Sequence, residues 1–409
     1  MAGSIRHILV LTETPFRKRD HERFGIDILS HHFQVHILDC TPLLRSELWS
    51  AFGHHRYECP EYVPVHTIDE IKRIIAPLRN QAVAIDYLLP GSRQHKCIRE
   101  TLRSFGILRS RVFAGVMPAP MMRQWKQRPR ALIKRLRDMI SGRYRKFRCA
   151  LYPMLKLTSD MAEITVLSGT QTLGRPDAQT PYQIWAHSFD YDRFLALRDC
   201  SPEPVSPYAV FLDQNLVERH DFLISGTPAY VTAMKYFPAL HQFFAEFEGR
   251  TGIPVVIAAH PKTPYTNETS PFGSRKFVSG ETARLIQGAS LVFTHYSTAL
   301  SFSVLWGKPV VFLTTDELQV SRYQPYIEGF QASLAAPLLN VDNYRSGDID
   351  LKAWTQISGH NYASFKEKYI KSQGSLELPL WEIFSASLKL GAEYLMVGRK
   401  IAPTPDRNV

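Results

Sequence analysis

Cysteine is scarce in this 409-residue chain: Cys40, Cys59, Cys97, Cys149 and Cys200 are scattered, odd in number and never set as a Cys-x-x-Cys pair. That pattern argues against a disulfide-stapled scaffold and a thiolate zinc centre, and favours a reducing compartment. Long apolar runs are also missing. None approaches the roughly 20 residues that a membrane-spanning helix needs. The opening segment Met1–Val10 carries Arg6 and His7 and has neither the apolar stretch nor the cleavage site of a secretory signal, so a cytoplasmic protein is expected. No Gly-x-x-x-x-Gly-Lys-Ser/Thr loop occurs, which excludes the common nucleoside-triphosphatase signature. What is present is a 44% apolar, 21% charged chain, long enough for two or three domains with real cores.

Charge is unevenly distributed. Eleven of the Lys and Arg residues fall between Arg123 and Arg148 against the single acid Asp138, so nearly all of the net +11 is local. Within 121–148, Leu132, Leu136 and Ile140 recur every fourth residue beside Ile133 and Met139, as in a basic amphipathic helix. Such a helix suits an anionic bilayer surface, here the inner face of a cytoplasmic membrane; a solvated charged face covering a core is the plainer alternative. Trp125, Tyr144 and Phe147 among the cations keep a nucleic-acid-binding protein open as a different class, although no nucleic-acid module is recognisable elsewhere.

Apolar runs alternate with helical stretches. Arg6–Thr12, Gln34–Asp39, Ala82–Leu88, Ile164–Leu167 and Tyr182–Ala186 read as buried parallel strands, with helices at Asp20–Ser30, Ile68–Ile75 and Tyr191–Leu197. Three prolines in Ser201–Pro207 mark a boundary. The alternation then restarts with strands at Tyr208–Asp213, Pro254–Ala259, Ser290–His295 and Pro309–Thr314, separated by helices Pro228–Arg250, Gly280–Gln287 and Ser297–Gly307. The expected fold is therefore α/β, with two Rossmann-like domains (1–200 and 201–385) facing each other across a cleft. A terminal helix and tail (386–409, the helix starting near Trp381) packs back on the first domain.

Chemistry-bearing residues follow the strand ends of the second domain. Asp213, in Asp213-Gln214-Asn215, is placed as a partly desolvated carboxylate suited to a general base, or as a turn cap. His260-Pro261-Lys262 sets an imidazole and an ammonium where an anionic leaving group could be met. Glu281 opens a helix and could accept from ribose hydroxyls, or simply favour the helix dipole. In His295-Tyr296-Ser297-Thr298 two hydroxyls precede a helix, as in an N-cap or a phosphate site. The Asp-x-Asp pairs read as structural and not as a metal site: Asp190/Asp192 stands just before an apolar helix, where acids serve as caps, and Asp348/Asp350 lies in an irregular stretch with Gly347.

This order of strand–acid, strand–His-Pro, helix–Glu and strand–Ser-Thr, spanning about Tyr208–Leu318, resembles the GT-B glycosyltransferases. Among them it is most similar to the bacterial sialyltransferases and related enzymes that use CMP-activated ulosonic acids. Their His-Pro motif matches His260-Pro261 and their Ser-Ser or Ser-Thr motif matches Ser297-Thr298. Their paired acidic motif ending in glycine is met only by Asp213-Gln214-Asn215. The resemblance implies an inverting, metal-independent transferase with no cofactor, a CMP-sugar as donor and a glycan or lipid-linked glycan as acceptor. His260, Pro261, Lys262, Glu281, Tyr296, Ser297 and Thr298 would bind the donor, His260 also acting in catalysis. Asp213 would be the base, or else Glu13 at the end of the opening strand. A UDP- or GDP-sugar transferase, or an epimerase of related fold, is the alternative among enzymes.

Overall fold

The computed structural model describes residues 5–89, 91–118, 161–174, 178, 180–200, 206–217, 229–261, 263 and 265–397. The basic segment 121–148 and Lys262 lie outside them. Among the described residues the chain forms two compact units: unit 1 runs to Ala114, resumes through Phe189 and returns from Gly374, and unit 2 comprises Asp190–Gln373 with the short stretch after Gly115. Among the described residues the chain passes between the units after Ala114, Phe189 and Gln373. The helix Phe189–Leu197 starts at the second of these crossings, and its Tyr191 and Leu197 join the core of unit 2.

Unit 1 contains seven strands: β1 His7–Thr12, β2 Gln34–Asp39, β3 Tyr62–Pro64, β4 Ala82–Asp86, β5 Leu108–Phe113, β6 Ile164–Leu167 and β7 Tyr182–Trp185. They pair in the order β3-β2-β1-β4-β5-β6-β7, all parallel. Alternate β1 side chains feed two cores: Ile8 and Val10 join one, Leu9 and Leu11 the other. A strand buried on both faces has no polar face, which is why its sequence is an almost unbroken apolar run. One of the helices between strands begins at a side-chain cap. Thr67 Oγ1 accepts from the Glu70 amide at 3.2 Å while Glu70 Oε2 accepts from the Thr67 amide at 3.3 Å, starting helix Ile68–Ile75.

Helix Leu380–Val397 packs back on this unit, as expected. Leu380, Trp381, Ile383, Phe384 and Leu388 enter the same core as Ile8 and Val10. Trp381 Nε1 donates to the Arg23 carbonyl at 3.0 Å, and its indole lies over Gly25. Gly25 has φ +57°, and a Cβ there would run into that indole. Gly25→Ala combines left-handed strain with an overpacked contact and should destabilise unit 1 by about 2–3 kcal/mol. Urea unfolding checks this, with a fall in midpoint at unchanged slope as the expected reading.

Unit 2 has six parallel strands: β8 Ala209–Leu212, β9 Val255–Ala258, β10 Phe277–Val278, β11 Leu291–Thr294, β12 Val310–Thr314 and β13 Leu338–Asn340. Their order is β10-β9-β8-β11-β12-β13. The helix Ala233–Thr251 buries Tyr236, Leu240, Phe243, Phe244 and Phe247, a stripe at helical spacing, and stops at Gly252 with φ +68°. No helix among the described residues is long and apolar enough to cross a membrane.

Candidate functional site

In chain order the unit 2 sheet runs third, second, first, fourth, fifth, sixth strand, so its direction of growth reverses between β8 and β11. At such a reversal the connections leave to opposite faces and open a crevice at the carboxyl ends of the strands. The segments after β9, β8 and β11, which adjoin in that order, are Ala259-His260-Pro261, Asp213-Gln214-Asn215 and His295-Tyr296-Ser297-Thr298. Three of the four expected clusters therefore stand at neighbouring strand ends. Glu281 follows the edge strand β10 as the N-cap of helix Thr282–Gly288, exposed and 3.4 Å from Arg284.

Asp213 is buried. Its Oδ1 accepts from the Asn215 amide at 3.0 Å, and its carboxylate also takes the amides of His260 and Gln214. Asn215 adopts φ +47°, which turns the chain back toward that carboxylate. Burial outweighs the three amide bonds and raises the Asp213 pKa to about 6. The carboxylate thus fixes where the His260 backbone sits. His260 itself is half-buried, Pro261 is exposed, and a turn closes by the Thr263 amide donating to the His260 carbonyl at 2.9 Å.

Two residues that the sequence analysis named without a site role join these loops. Gln214 Oε1 accepts from the Tyr296 amide at 2.9 Å, tying the segment after β8 to that after β11. His295 is fully buried, with Nδ1 at 2.7 Å from the Leu313 carbonyl and Nε2 at 2.8 Å from the Tyr236 hydroxyl. A carbonyl only accepts, so Nδ1 carries the proton and Nε2 accepts from Tyr236. Burial depresses the His295 pKa to about 4, although the Leu313 bond opposes the shift.

Tyr296 stacks on Tyr323 with centroids 4.7 Å apart, and the Arg322 guanidinium lies 5.0 Å from the Tyr230 ring and 5.5 Å from that of Tyr323. The guanidinium, exposed, is held by these rings and by a hydrogen bond to Tyr323. The expected helix at Ser297 begins instead at Leu300 and ends at Leu305. Ser297 and Thr298 form the turn before it: Ser297 Oγ accepts from the Ala299 amide at 3.2 Å, and the Ser297 carbonyl accepts from the Leu300 amide at 3.2 Å. Ser297 is half-buried and Thr298 exposed. Asp350 caps helix Leu351–Trp354 and Asp348 accepts from the Arg345 amide at 2.8 Å, which accounts for that Asp-x-Asp pair.

The unit 1 sheet reverses in the same way between β1 and β4, and there Glu13 follows β1. Its carboxylate accepts from His95 Nε2 at 2.8 Å, Arg45 Nη2 at 2.8 Å and the Leu89 amide at 3.0 Å. Burial alone would raise its pKa, but those bonds outweigh it and hold the group below the ordinary carboxylate value. Glu13 is thus committed to orienting His95. The other ring nitrogen, Nδ1, accepts from the Ser92 amide at 3.1 Å and lies 2.9 Å from the exposed Ser92 hydroxyl. Ser92 and His95 were not signalled by the sequence analysis.

No family model matches the chain, and no curated protein matches it. Solved structures do. A structure of the wall teichoic acid polymerase TagF, H548A variant, is 8% identical and covers 97% of this chain and 90% of its own, with a TM-score of 0.53. The H444N variant of TagF is 8% identical, covers 96% of this chain and 90% of its own, and has a TM-score of 0.52. These likenesses, with the two parallel sheets, give the fold as GT-B.

Proposed function

We propose that this chain is a glycosyltransferase that binds a nucleotide-activated sugar at the carboxyl strand ends of unit 2, and that the donor is a CMP-activated ulosonic acid. The observation that carries the reading is the bond from the His260 amide to the Asp213 carboxylate, at the strand reversal next to the Ser297-Thr298 turn. The GT-B fold and the order of the motifs support it. In this reading the bond from the anomeric carbon to the phosphate oxygen breaks, and the electron pair leaves with the CMP phosphate. His260, Lys262, Ser297 and Thr298 stabilise that anion, Glu281 and Tyr296 help hold the nucleoside, and no metal is required. The acceptor hydroxyl attacks from the opposite face, inverting the anomeric centre, and its proton passes to a base.

Asp213 suits that base by its raised pKa and is restrained by its amide bonds. Glu13, the other candidate, has four donors upon it and is held below the ordinary carboxylate value, which makes it the weaker base of the two. The acceptor is a glycan or lipid-linked glycan, and the basic segment 121–148 rests the enzyme on an anionic membrane surface.

Thermal unfolding with CMP, UDP and GDP tests the donor. Saturation with the right nucleotide at about 100 times its Kd adds roughly 2.7 kcal/mol. CMP should raise the midpoint most, and His260→Ala should weaken that rise. A rise with UDP or GDP alone would replace the CMP reading, and no rise with any of the three would end it. With a donor in hand, His260→Ala and the double change Ser297→Ala, Thr298→Ala should each lower turnover by on the order of a hundredfold while the protein stays folded.

A further inference from the structure

We propose that His21, Cys59 and Glu61 form a site for one zinc-type divalent ion in unit 1, separate from the donor chemistry of unit 2. One ligand atom from each of the three side chains lies within 4.8 Å of the other two, and all three residues are half-buried. They come from two elements. His21 lies on helix Lys18–Arg23, and Cys59 and Glu61 flank Pro60 on the run into the edge strand β3. Residues 59–62 form a turn, and the turn brings the Cys59 and Glu61 side chains together.

The surroundings hold the three in place. The Tyr57 amide donates to the Phe16 carbonyl at 2.7 Å, the Tyr62 amide to the Cys59 carbonyl at 3.0 Å, and the Ile37 amide to the Glu61 carbonyl at 2.8 Å. The His21 ring meets Tyr57 edge-on at 5.4 Å and Phe16 at 6.4 Å, so two aromatic walls steady it. Asp27 Oδ1 lies 3.7 Å from His21 Nε2. At that distance the carboxylate makes no hydrogen bond to the ring, but its negative charge favours a cation beside His21.

A sulfur, an imidazole nitrogen and a carboxylate oxygen form a donor set that suits zinc and disfavours magnesium or calcium, which take oxygen alone. Bonds of about 2.0–2.3 Å place tetrahedral neighbours roughly 3.5 Å apart, so the cluster closes on an ion by side-chain rotation of about 1 Å. The Cys59 thiol is now hydrogen-bonded to Glu61. On binding, the S–H bond breaks, its proton goes to solvent, the sulfur pair takes the ion and water fills the fourth position. Nothing is oxidised or reduced. The ion would tie helix Lys18–Arg23 to the edge of the sheet. Spacing along the chain conceals such a site, because its single cysteine is paired with a histidine from another element.

The test uses the full chain after EDTA treatment and gel filtration. One equivalent of Co2+ should give a near-ultraviolet thiolate-to-cobalt band and strong visible bands of tetrahedral cobalt, all displaced by Zn2+. Cys59→Ser should abolish the ultraviolet band, and His21→Gln or Glu61→Gln should weaken Zn2+ binding at least tenfold. Zn2+ should also slow iodoacetamide labelling of Cys59 in the unmutated protein by tenfold or more, a reading that depends on no variant folding. A band that survives Cys59→Ser, the lack of any band, or a labelling rate indifferent to Zn2+ would overturn the site.

Discussion

Replacing Asp86 with alanine should destabilise unit 1 by about 3–5 kcal/mol, enough to leave a typical domain largely unfolded at moderate denaturant. Asp86 ends β4, and its carboxylate has no exposed surface. Its Oδ2 accepts from Arg99 Nε at 2.8 Å and from Arg109 Nη1 at 3.2 Å, and its Oδ1 accepts from the Leu88 amide at 3.0 Å. Arg99 and Arg109 are themselves buried at 3% and 1% exposure. Alanine would strand two guanidiniums in the interior, and an uncompensated buried charge costs far more than the pair itself contributes. Removing all three charges together, as Asp86→Leu, Arg99→Met and Arg109→Met, should recover most of the loss. Urea unfolding of the two variants decides the matter: a single change costing under 1 kcal/mol, or a triple change no better than the single, contradicts this account.

The same triad explains which parts of unit 1 were hidden in the sequence. β1, β2, β4 and β6 are apolar runs and were legible to within two residues. β5 reads Leu-Arg-Ser-Arg-Val-Phe, and its arginines break the pattern of a doubly buried strand. Arg109 is tolerated there because Asp86 supplies a counter-charge at Nη1 and the Met161 carbonyl, 2.6 Å from Nη2, accepts a further bond, information that lies elsewhere in the chain. Helix Arg93–Ser104 is almost wholly polar, yet it buries His95 and Arg99 against Glu13 and Asp86. The short edge strands β3, β10 and β13, of two or three residues each, carry too few side chains to announce a period.

At the strand ends of unit 2, the positions of Asp213, His260 and Ser297 could be read because each follows an apolar run. Orientation could not. His260 and His295 both stand just beyond such a run, but one is half-buried at a turn and the other is fully buried between Tyr236 and Leu313. Only the tertiary partners tell them apart. Ser297 and Thr298 resemble an N-cap, yet the helix starts at Leu300 with Ala299 at the cap and no side-chain cap bond.

Asp213 and His295 should impose opposite pH dependences on unit 2, each worth about 3 kcal/mol. Asp213 titrates near pH 6 in the folded protein against an ordinary 3.8, so the folded state holds its proton longer than the unfolded chain. Its contribution is complete below the unfolded value and is lost as pH rises through about 6. His295 titrates near 4 against an ordinary 6.5, so the folded state binds fewer protons. Its contribution is complete above 6.5 and is lost as pH falls toward about 4. Between these limits the two nearly cancel in the unmutated protein. Asp213→Asn leaves the histidine unopposed, and the stability of that variant relative to the unmutated protein should climb as pH rises from 4 to 6. His295→Gln leaves the carboxylate unopposed, and its relative stability should fall across the same range, whatever fixed penalty its buried amide adds. Urea unfolding from pH 4 to 7 measures both differences. Difference curves that are flat, or that slope the same way, would mean that these two groups are not held as buried acid and buried neutral imidazole. The segments after β8 and β11, where Asp213 binds the His260 amide and Gln214 binds the Tyr296 amide, would then not rest on these two buried groups.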